Sequence, residues 1–383
     1  MTASEASAQN ADAERLRDED ERFMRAAIAL GRRWQGSTSP NPSVGSLVVR
    51  DGVIVGRGST RPGGRPHAET VAIMDAGDKA RGATIYVSLE PCSHFGRTPP
   101  CAQTIISAGI TRVVSACQDP DLRVAGRGHK MLRDAGIEVV EGVCNQEGRR
   151  ANLGHILRVS EKRPMVTLKL AETADGFAAG GPHDPRLAIT GLAANNSVHV
   201  MRAMHDAIMI GAGTARTDDP LMTVRLPGFE NRRPLRVVLD TELRMSPRSR
   251  LAETARDVPV LVVCGPRAPA EAQAELESHG VQVVHCRVGA DGKLDLLAAL
   301  RLLSERGLTR VFSEGGPSVA SGLIESGLVD DVVLFTNERP LGRAGAPSLS
   351  ISARAKLEAG ESFRLVEDAR LGADRMRRYE RIE

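Results

Sequence analysis

One His, one Glu and two Cys are the residues whose types and spacing could do chemistry. His67 and Glu69 are separated by one residue, and Cys92 and Cys101 follow further along the chain. An imidazole and two thiolates suit zinc, and three protein ligands leave the fourth tetrahedral position open for water. Because zinc lowers the pKa of bound water toward neutrality, a hydroxide nucleophile becomes available. With Glu69 as a proton carrier, this is the chemistry of hydrolytic deamination.

Two other interpretations of this cluster remain open from sequence alone. Single His and Cys residues are more often ordinary surface or buried groups than metal ligands. A structural zinc site normally has four protein ligands, and His94 could supply the fourth. Since that site would leave Glu69 without a purpose, the sequence favours a catalytic metal centre. Its metal ligands are then His67, Cys92 and Cys101, and its catalytic residue is Glu69.

Alternating helix and strand patterns surround the cluster and predict an α/β domain over residues 21–163. A helix covers Phe23 to Leu30, and Asp51-Gly52 predicts a hairpin between two short strands. Residues 1–20 are small, polar and charged, and are predicted to be a disordered tail. Further strands are predicted over 83–89, 112–116 and 138–143, with helices between them.

The Arg163-Pro164 pair interrupts a charged helical stretch, so the second domain is predicted to cover 164–383. It also alternates, with strands near 165–170, 207–210, 235–239, 258–263, 281–285, 309–312 and 332–335. The strand at 309–312 leads into Gly315-Gly316-Pro317 and a helix. Such a connection lets backbone N–H groups approach an anion, although no Gly-x-Gly-x-x-Gly fingerprint of the doubly wound dinucleotide-binding fold occurs.

The metal cluster resembles the His-x-Glu and Pro-Cys…Cys signature of the zinc nucleoside and nucleobase deaminases. Eight residues separate Cys92 from Cys101, whereas nucleic-acid deaminases usually have two. With this spacing, the segments 40–45, 62–69, 118–120 and 124–128 resemble the deaminase of the bifunctional riboflavin-biosynthesis family. The resemblance implies a cytidine-deaminase-like α/β/α sandwich acting on a diaminopyrimidinone that carries a phosphoribosylamino group. It makes Asn41, His94 and Arg97 candidates for holding the base or the phosphate.

The second domain resembles the reductase of the same family, in the segments 166–170, 174–176, 210–214, 218–225 and 314–317. The resemblance implies an α/β fold similar to dihydrofolate reductase and hydride delivery from NADPH, which opens the ribosyl ring to a ribityl chain. The implied cofactor contacts are Ala171, Thr214, Asp218, Thr241, Gly316, Pro317, Ser318, Val319, Ala320, Ser321 and Gly322. The implied substrate contacts are Lys169, Arg202, Met222, Arg225 and Glu314.

One segment of the second domain departs from the family pattern. After the Asp-Gly pair the family usually has a basic residue and a Ser-x-Trp stretch, where this chain has Phe177 and later Arg186-Leu187-Ala188. We expect reductase activity with altered contacts. A deaminase with a degenerate reductase domain is the first alternative, and a nucleic-acid base deaminase is the second. The third is a structural or regulatory protein whose metal site has lost activity.

Composition restricts the partners. A net charge of +3 without Lys/Arg blocks, and one Trp, two Tyr and seven Phe in 383 residues, give no support for nucleic-acid binding. The first twenty residues contain no apolar stretch of the kind that a signal peptide or membrane span requires. Six cysteines, two of them near a His, suit a reducing cytoplasmic compartment. The family resemblance implies a homo-oligomer, either a dimer or a tetramer.

Overall fold

The computed structural model describes residues 3–94, 99–122, 124–181, 184–185 and 187–382, with side chains from Glu14 onward. The chain divides into two compact units, Met1–Glu161 and Lys162–Glu383. No helix in the described part of the chain has the length and apolar character needed to cross a membrane.

The first unit is a five-stranded sheet with helices. The helices are α1 (Ala3–Gly31), α2 (Ala68–Ala76), α3 (Cys101–Ser107), α4 (Arg127–Asp134), α5 (Asn145–Ala151) and α6 (Leu153–Ser160). The strands are β1 (Gly45–Arg50), β2 (Val53–Ser59), β3 (Thr84–Val87), β4 (Arg112–Ser115) and β5 (Glu138–Glu141). Their order is β2-β1-β3-β4-β5, in which β1 is antiparallel to both neighbours and the other pairs are parallel.

Successive side chains of β1 point to opposite faces of this sheet. Leu47 and Val49 pack in one core with Met24 of α1. Val48 points to the opposite face and packs in a second core with Ala72 of α2 and residues of α3 and α4. The unit is therefore a three-layer α/β/α sandwich, as predicted.

The predicted hairpin joins β1 and β2. Arg50 pairs with Val53, and the two residues between them, Asp51 and Gly52, have φ angles of 52° and 73°. Two consecutive positive φ angles define the type I′ turn that Asp-Gly favours. This part of the prediction is confirmed.

The predicted disordered tail is wrong, because α1 begins at Ala3. The segment is rich in Ala, Glu and Arg, which favour helix without apolar periodicity. Near its middle the helix is held by the buried Asp20, whose carboxylate accepts two hydrogen bonds from Arg112, both 2.7 Å, and one from the Tyr86 hydroxyl at 2.8 Å. Lack of apolar residues therefore did not mean lack of structure.

Replacing Asp20 with Asn is expected to destabilise the first unit by about 1–3 kcal/mol, because Asn offers one acceptor oxygen to a buried guanidinium that now binds two. Thermal unfolding of the full chain measures the change. The matched control is Glu138→Gln, since Glu138 is exposed and bonds the same Arg112 at 2.9 Å. Equal stability of D20N and wild type would contradict the anchoring role of Asp20.

The second unit is a larger, mainly parallel sheet with helices. The helices are α7 (Leu192–Ala203), α8 (Ala212–Asp218), α9 (Arg250–Glu253), α10 (Ala270–Ser278), α11 (Leu296–Glu305), α12 (Pro317–Glu325) and α13 (Ile351–Glu358). The strands are β6 (Met165–Glu172), β7 (Phe177–Ala179), β8 (Ala207–Gly211), β9 (Leu235–Leu239), β10 (Val260–Cys264), β11 (Gln282–His285), β12 (Arg310–Ser313), β13 (Asp331–Asn337), β14 (Ala346–Pro347), β15 (Phe363–Leu371) and β16 (Asp374–Arg381).

Nine of these strands form one sheet in the order β11-β10-β9-β8-β12-β6-β13-β16-β15, and β7 pairs with β14 separately. The strands from β11 to β13 run parallel, whereas β16 and β15 are antiparallel additions at one edge. One core, which contains Leu168 and Val237, includes residues of α11, α12 and α13. Two further cores include residues of α7, α9 and α10, so helices cover both faces.

Candidate active site

The start of α2 places the first pair of predicted site residues. His67 precedes the helix in extended backbone conformation, and Glu69 lies in the first turn. Helix α2 lies directly on β2, where a Cβ atom on Gly58 would stand 2.0 Å from the Ala68 carbonyl oxygen. Only glycine permits this approach. The turn that carries His67 and Glu69 is therefore fixed against the sheet.

The two cysteines come from the segment that follows β3. Cys92 lies shortly after this strand, and Cys101 is the first residue of α3. The Cys101 backbone N–H donates to the Cys92 sulfur at 3.3 Å, and the Ala102 N–H donates to the Cys92 carbonyl at 3.2 Å. The start of α3 thus fixes both sulfur atoms.

His67, Cys92 and Cys101 form the one group of metal-ligating side chains found in the described part of the chain, with ligand atoms within 4.8 Å of one another. The His67 Nδ1 atom lies 3.3 Å from the Cys101 sulfur and 3.7 Å from the Cys92 sulfur. Ligands bound to one tetrahedral zinc ion stand about 3.5 Å apart. The donor set and its spacing therefore fit zinc, with one coordination position left open.

The electrostatics of this group favour ligation and proton transfer. The hydrogen bond from Cys101, aided by His67, lowers the pKa of Cys92 to about 4, so this sulfur is a thiolate at neutral pH. Glu69 is buried, and burial raises the pKa of its carboxyl. A buried carboxyl beside a metal site can both take up and release a proton during a reaction.

The three residues predicted to contact the base or the phosphate differ in their positions relative to the metal group. Asn41 lies near the metal group: its Nδ2 atom donates to the Gly64 carbonyl at 2.7 Å and stands 3.5 Å from His67 Nε2. His94 is partly buried, and its Nδ1 atom has no hydrogen-bond partner among the described residues. It is not within the metal-ligating group. Arg97 lies outside the described residues.

In the second unit, predicted site residues lie at or just beyond the carboxyl ends of neighbouring parallel strands. Lys169 and Ala171 lie in β6, Thr241 follows β9 and Glu314 follows β12. Ligands of open parallel sheets bind at this edge, where the strands deliver their following loops. The segment that departs from the family pattern begins just after β6: Phe177 is the first residue of β7, and its backbone carbonyl accepts from the Thr173 N–H at 2.9 Å. Arg186 is outside the described residues.

Arg202 of α7 and Glu314 form a two-point ion pair, with Nε–Oε1 and Nη2–Oε2 distances of 2.5 and 2.8 Å. Burial opposes ionisation of Glu314, but Arg202 and then Lys169 outweigh it and lower the pKa of this carboxyl. Arg202 also donates from Nη1 to the Thr223 carbonyl at 3.0 Å. Because guanidinium has five N–H donors, two remain for a ligand.

Arg225 is exposed and stands beside this pair. Its backbone N–H donates to His199 Nδ1 at 3.3 Å, and its Nη1 atom donates to the Thr223 hydroxyl at 3.2 Å. Burial, then Arg202 and Arg225, lowers the pKa of His199, so the ring stays neutral and keeps this acceptor. His199 was not predicted as a site residue, although its position one helical turn before Arg202, on the same face of α7, is a signal that the sequence carries.

The predicted cofactor segment begins α12. Gly316 precedes the helix with an extended backbone, and a Cβ atom there would stand 3.0 Å from the Thr214 hydroxyl oxygen. The backbone N–H groups of the first turn can therefore meet an anion beside Thr214. The remaining predicted residues of this segment follow in the helix: Pro317, Ser318, Val319, Ala320, Ser321 and Gly322.

Several predicted contacts have side chains turned away from solvent. Met222 is 2% exposed and packs in the core with Ile208, and Ala320 is buried in the core beside Leu323. The Ser321 hydroxyl accepts a hydrogen bond from Ser350 N. Contacts from these positions would have to use backbone atoms. Asp218, the last residue of α8, is partly exposed.

These two arrangements define the class of protein. A three-ligand metal group beside a buried carboxyl is a hydrolytic centre of the zinc deaminase type. The second unit has cationic side chains and a glycine-flanked helix start at the carboxyl edge of a parallel sheet, which suit a phosphorylated substrate and a dinucleotide. The chain is a two-domain enzyme.

Comparison with known proteins agrees with this class. Residues 17–117 match the cytidine and deoxycytidylate deaminase zinc-binding region, and residues 164–369 match the RibD C-terminal domain. The riboflavin biosynthesis protein RibD of Aquifex aeolicus is 38% identical over 327 residues, which cover 85% of this chain and 89% of the relative.

Two solved structures are similar over most of their length. RibD of Acinetobacter baumannii has a TM-score of 0.83 and 33% identity, and the match covers 96% of this chain and 99% of that one. A diaminohydroxyphosphoribosylaminopyrimidine deaminase/5-amino-6-(5-phosphoribosylamino)uracil reductase from Thermotoga maritima has a TM-score of 0.81 and 33% identity, with the same coverage.

The chain belongs to the RibD family of bifunctional deaminase-reductases in riboflavin biosynthesis. The predicted family, fold class, pair of activities and cofactors, zinc and NADPH, are thereby confirmed. The substrate of this family is a small molecule, so the alternative of a nucleic-acid base deaminase is set aside.

Proposed function

We propose that the first unit deaminates 2,5-diamino-6-(5-phosphoribosylamino)pyrimidin-4-one, with His67, Cys92 and Cys101 as zinc ligands and Glu69 as the catalytic residue. The observation that carries the proposal is the convergence of these three ligand atoms within 4.8 Å beside a buried carboxyl. The similar Thermotoga maritima protein supports the choice of substrate, since its two activities act on this pyrimidine series.

The distances around His67 support one of its two ring nitrogens as the proposed zinc ligand. His67 binds through Nδ1, because this atom faces both sulfurs while Nε2 faces Asn41. The Cys101 N–H stabilises the negative charge on the Cys92 sulfur. His67, Cys92 and Cys101 would hold zinc in this way, and the bound ion would supply a water of lowered pKa, which is a nucleophile at neutral pH.

Glu69 serves both proton transfers of the deamination. Its carboxylate takes the proton of the attacking water and donates a proton to the exocyclic amine, which leaves as ammonia. Burial favours the protonated form of this carboxyl, so a proton taken up by Glu69 is retained for the second transfer. Asn41, fixed by the Gly64 carbonyl, and His94 are proposed to hold the pyrimidine, and Arg97 is proposed to hold the phosphate.

The second unit then reduces the ribosyl group. NADPH supplies the hydride, and the cofactor residues proposed to hold it are Ala171, Thr214, Asp218, Thr241 and the first turn of α12. Glu314 fixes the plane of the Arg202 guanidinium through two hydrogen bonds. Lys169 and the free donors of Arg202 bind the substrate near this pair, with Met222 contributing backbone contact. Arg225, exposed beside them, binds the substrate phosphate.

Arg225→Met is expected to raise the KM of the reductase for its deaminated substrate roughly 10–100-fold, because a charged hydrogen bond to phosphate contributes about 1.5–3 kcal/mol. The affinity for NADPH should not change. Steady-state NADPH oxidation measures the former, and fluorescence titration of NADPH the latter. The control is Arg301→Met, on the exposed face of α11. An unchanged KM in R225M would show that Arg225 does not bind the phosphate.

The proposed pair of reactions has a direct test. Purified chain is incubated with the diaminopyrimidine substrate, with and without NADPH, and products are identified by mass spectrometry. We expect the deaminated ribosyl compound without NADPH and the ribityl compound with it. Absence of ammonia release from the zinc-loaded chain would contradict the proposed deamination, and a ribosyl product that persists with NADPH would indicate an inactive second unit.

We also propose that the chain acts in the cytoplasm as a homo-oligomer, either a dimer or a tetramer. None of the six cysteines forms a disulfide, which suits a reducing compartment. Sedimentation velocity of the zinc-loaded chain tests the oligomeric state, and a monomer across the micromolar range would contradict it.

A further inference from the structure

Glu90 is a fully buried carboxylate that the proposed chemistry does not use. It follows β3 and lies two residues before the ligand Cys92. Its side chain has no exposed surface. Burial of an ionised carboxylate is costly unless hydrogen bonds satisfy its oxygens, so its partners show its purpose.

Four backbone N–H groups converge on this carboxylate. Gly126 and Asp119 donate to Oε2 at 3.0 and 3.3 Å, and Gly128 and His129 donate to Oε1 at 3.0 and 3.4 Å. Gly128 and His129 lie in the first turn of α4. The carboxylate therefore caps α4 from a distant strand and satisfies N–H groups that the helix leaves unpaired.

The loop held in this way, of which residues 119–122 and 124–129 are described (the capped loop), packs against the ligand segment. A Cβ atom on Gly128 would lie 2.0 Å from the Pro91 carbonyl oxygen, so the two backbones are in direct contact there. At the start of the capped loop, Asp119 also accepts from His155 of α6 at 3.1 Å. Glu90 itself donates from its backbone to the Cys117 carbonyl at 2.9 Å. The end of β3 is thus held from both directions.

We propose that Glu90 is a positioning residue of the deaminase site. By holding the capped loop against Pro91, it fixes the backbone that carries Cys92 and keeps the loop in place beside the metal group. The proposal rests on the proposed zinc ligation. Glu90, the residue before the Pro-Cys pair of the deaminase motif, takes no part in the zinc chemistry itself. The proposal gives this residue a role in positioning the site.

The test uses Glu90→Gln in the full chain. Gln keeps the size of the side chain but replaces one carboxylate oxygen with an amide NH2, so two of the four N–H groups lose their acceptor. Residues that orient metal ligands typically change metal affinity or activity 10–100-fold when altered. We therefore expect at least roughly tenfold faster release of zinc to a chromogenic chelator and an equal or larger fall in kcat/KM for ammonia release.

Two controls separate positioning from general stability. The reductase activity of the same E90Q preparation should equal that of wild type, because the second unit does not contain the change. The second control, D20N, replaces another buried carboxylate of the first unit and weakens its hydrogen bonds. That carboxylate anchors α1 and not the ligand segment. It should lower the melting temperature without changing zinc release or the deaminase KM.

Zinc release and deaminase kcat/KM within twofold of wild type in E90Q would overturn the proposal, even if the melting temperature falls. If E90Q does not yield folded protein, the same comparison on E90D decides, since Asp keeps both oxygens but shortens their reach. Failure of the proposed zinc chemistry is distinguishable, because wild type itself would then release no ammonia.

Discussion

Glu69→Gln is expected to lower the kcat for ammonia release roughly 10³-fold while zinc stays bound, since general acid-base catalysis contributes about 10²–10⁴-fold. Gln fills the same buried position in the first turn of α2 but can neither accept nor deliver a proton. The three proposed ligands are unchanged, so the metal group should remain intact. Ammonia release and elemental analysis of the same preparation measure both effects.

The reductase of E69Q provides an internal control, because NADPH oxidation with the deaminated substrate should keep its wild-type rate. Glu147→Gln, on an exposed part of α5, controls for loss of a carboxylate elsewhere in the first unit. If E69Q keeps zinc and releases ammonia within tenfold of wild type, another group moves the proton and the assigned role is wrong.

Arg163→Met is expected to destabilise the second unit by about 3–5 kcal/mol, because it leaves the Asp330 carboxylate buried without its main partner. Arg163 is 1% exposed and donates two hydrogen bonds to Asp330, at 2.7 and 2.8 Å. The Val166 N–H also donates to this carboxylate. The pair therefore joins the start of β6 to the residue that precedes β13.

Calorimetry of the full chain measures this change, with the second-unit transition identified as the one that NADPH shifts to higher temperature. The control is Arg375→Met, which removes an exposed two-point ion pair with Asp368 on the β15–β16 hairpin. It should change stability far less, since exposed pairs contribute little. Adding Asp330→Leu to R163M should restore part of the loss. Equal effects of R163M and R375M would contradict the argument from burial.

The chemistry of the first unit was predictable because its His, Glu and Cys residues stand in two short segments of the sequence with a recognisable spacing. His67 directly precedes α2 and Glu69 lies in its first turn, so their proximity follows from their separation of two residues in the sequence. The Asp51-Gly52 turn was equally local, since both residues tolerate positive φ. Apolar strands that alternate with helices along the sequence likewise predicted two α/β units. A parallel sheet buries both faces, so its strands must be apolar and helices must cover them.

Contacts between distant parts of the chain were not predictable in the same way. The capped loop meets Glu90 only because β3 and β4 are neighbours in the sheet, and no spacing in the sequence expresses this. The same is true of Arg202 and Glu314. The β15–β16 hairpin was missed because β15 is an edge strand with mostly exposed, polar side chains that lack apolar alternation.

The central claim, a zinc ion held by His67, Cys92 and Cys101 with one open position, is tested most directly by X-ray absorption at the zinc edge on chain purified without chelators. We predict one zinc per chain with two sulfur ligands at about 2.3 Å, one imidazole nitrogen at about 2.0–2.1 Å and one further light atom that is not protein. Zinc should be lost in Cys92→Ser/Cys101→Ser. A second imidazole in the spectrum, or a wild-type chain free of zinc, would contradict the account.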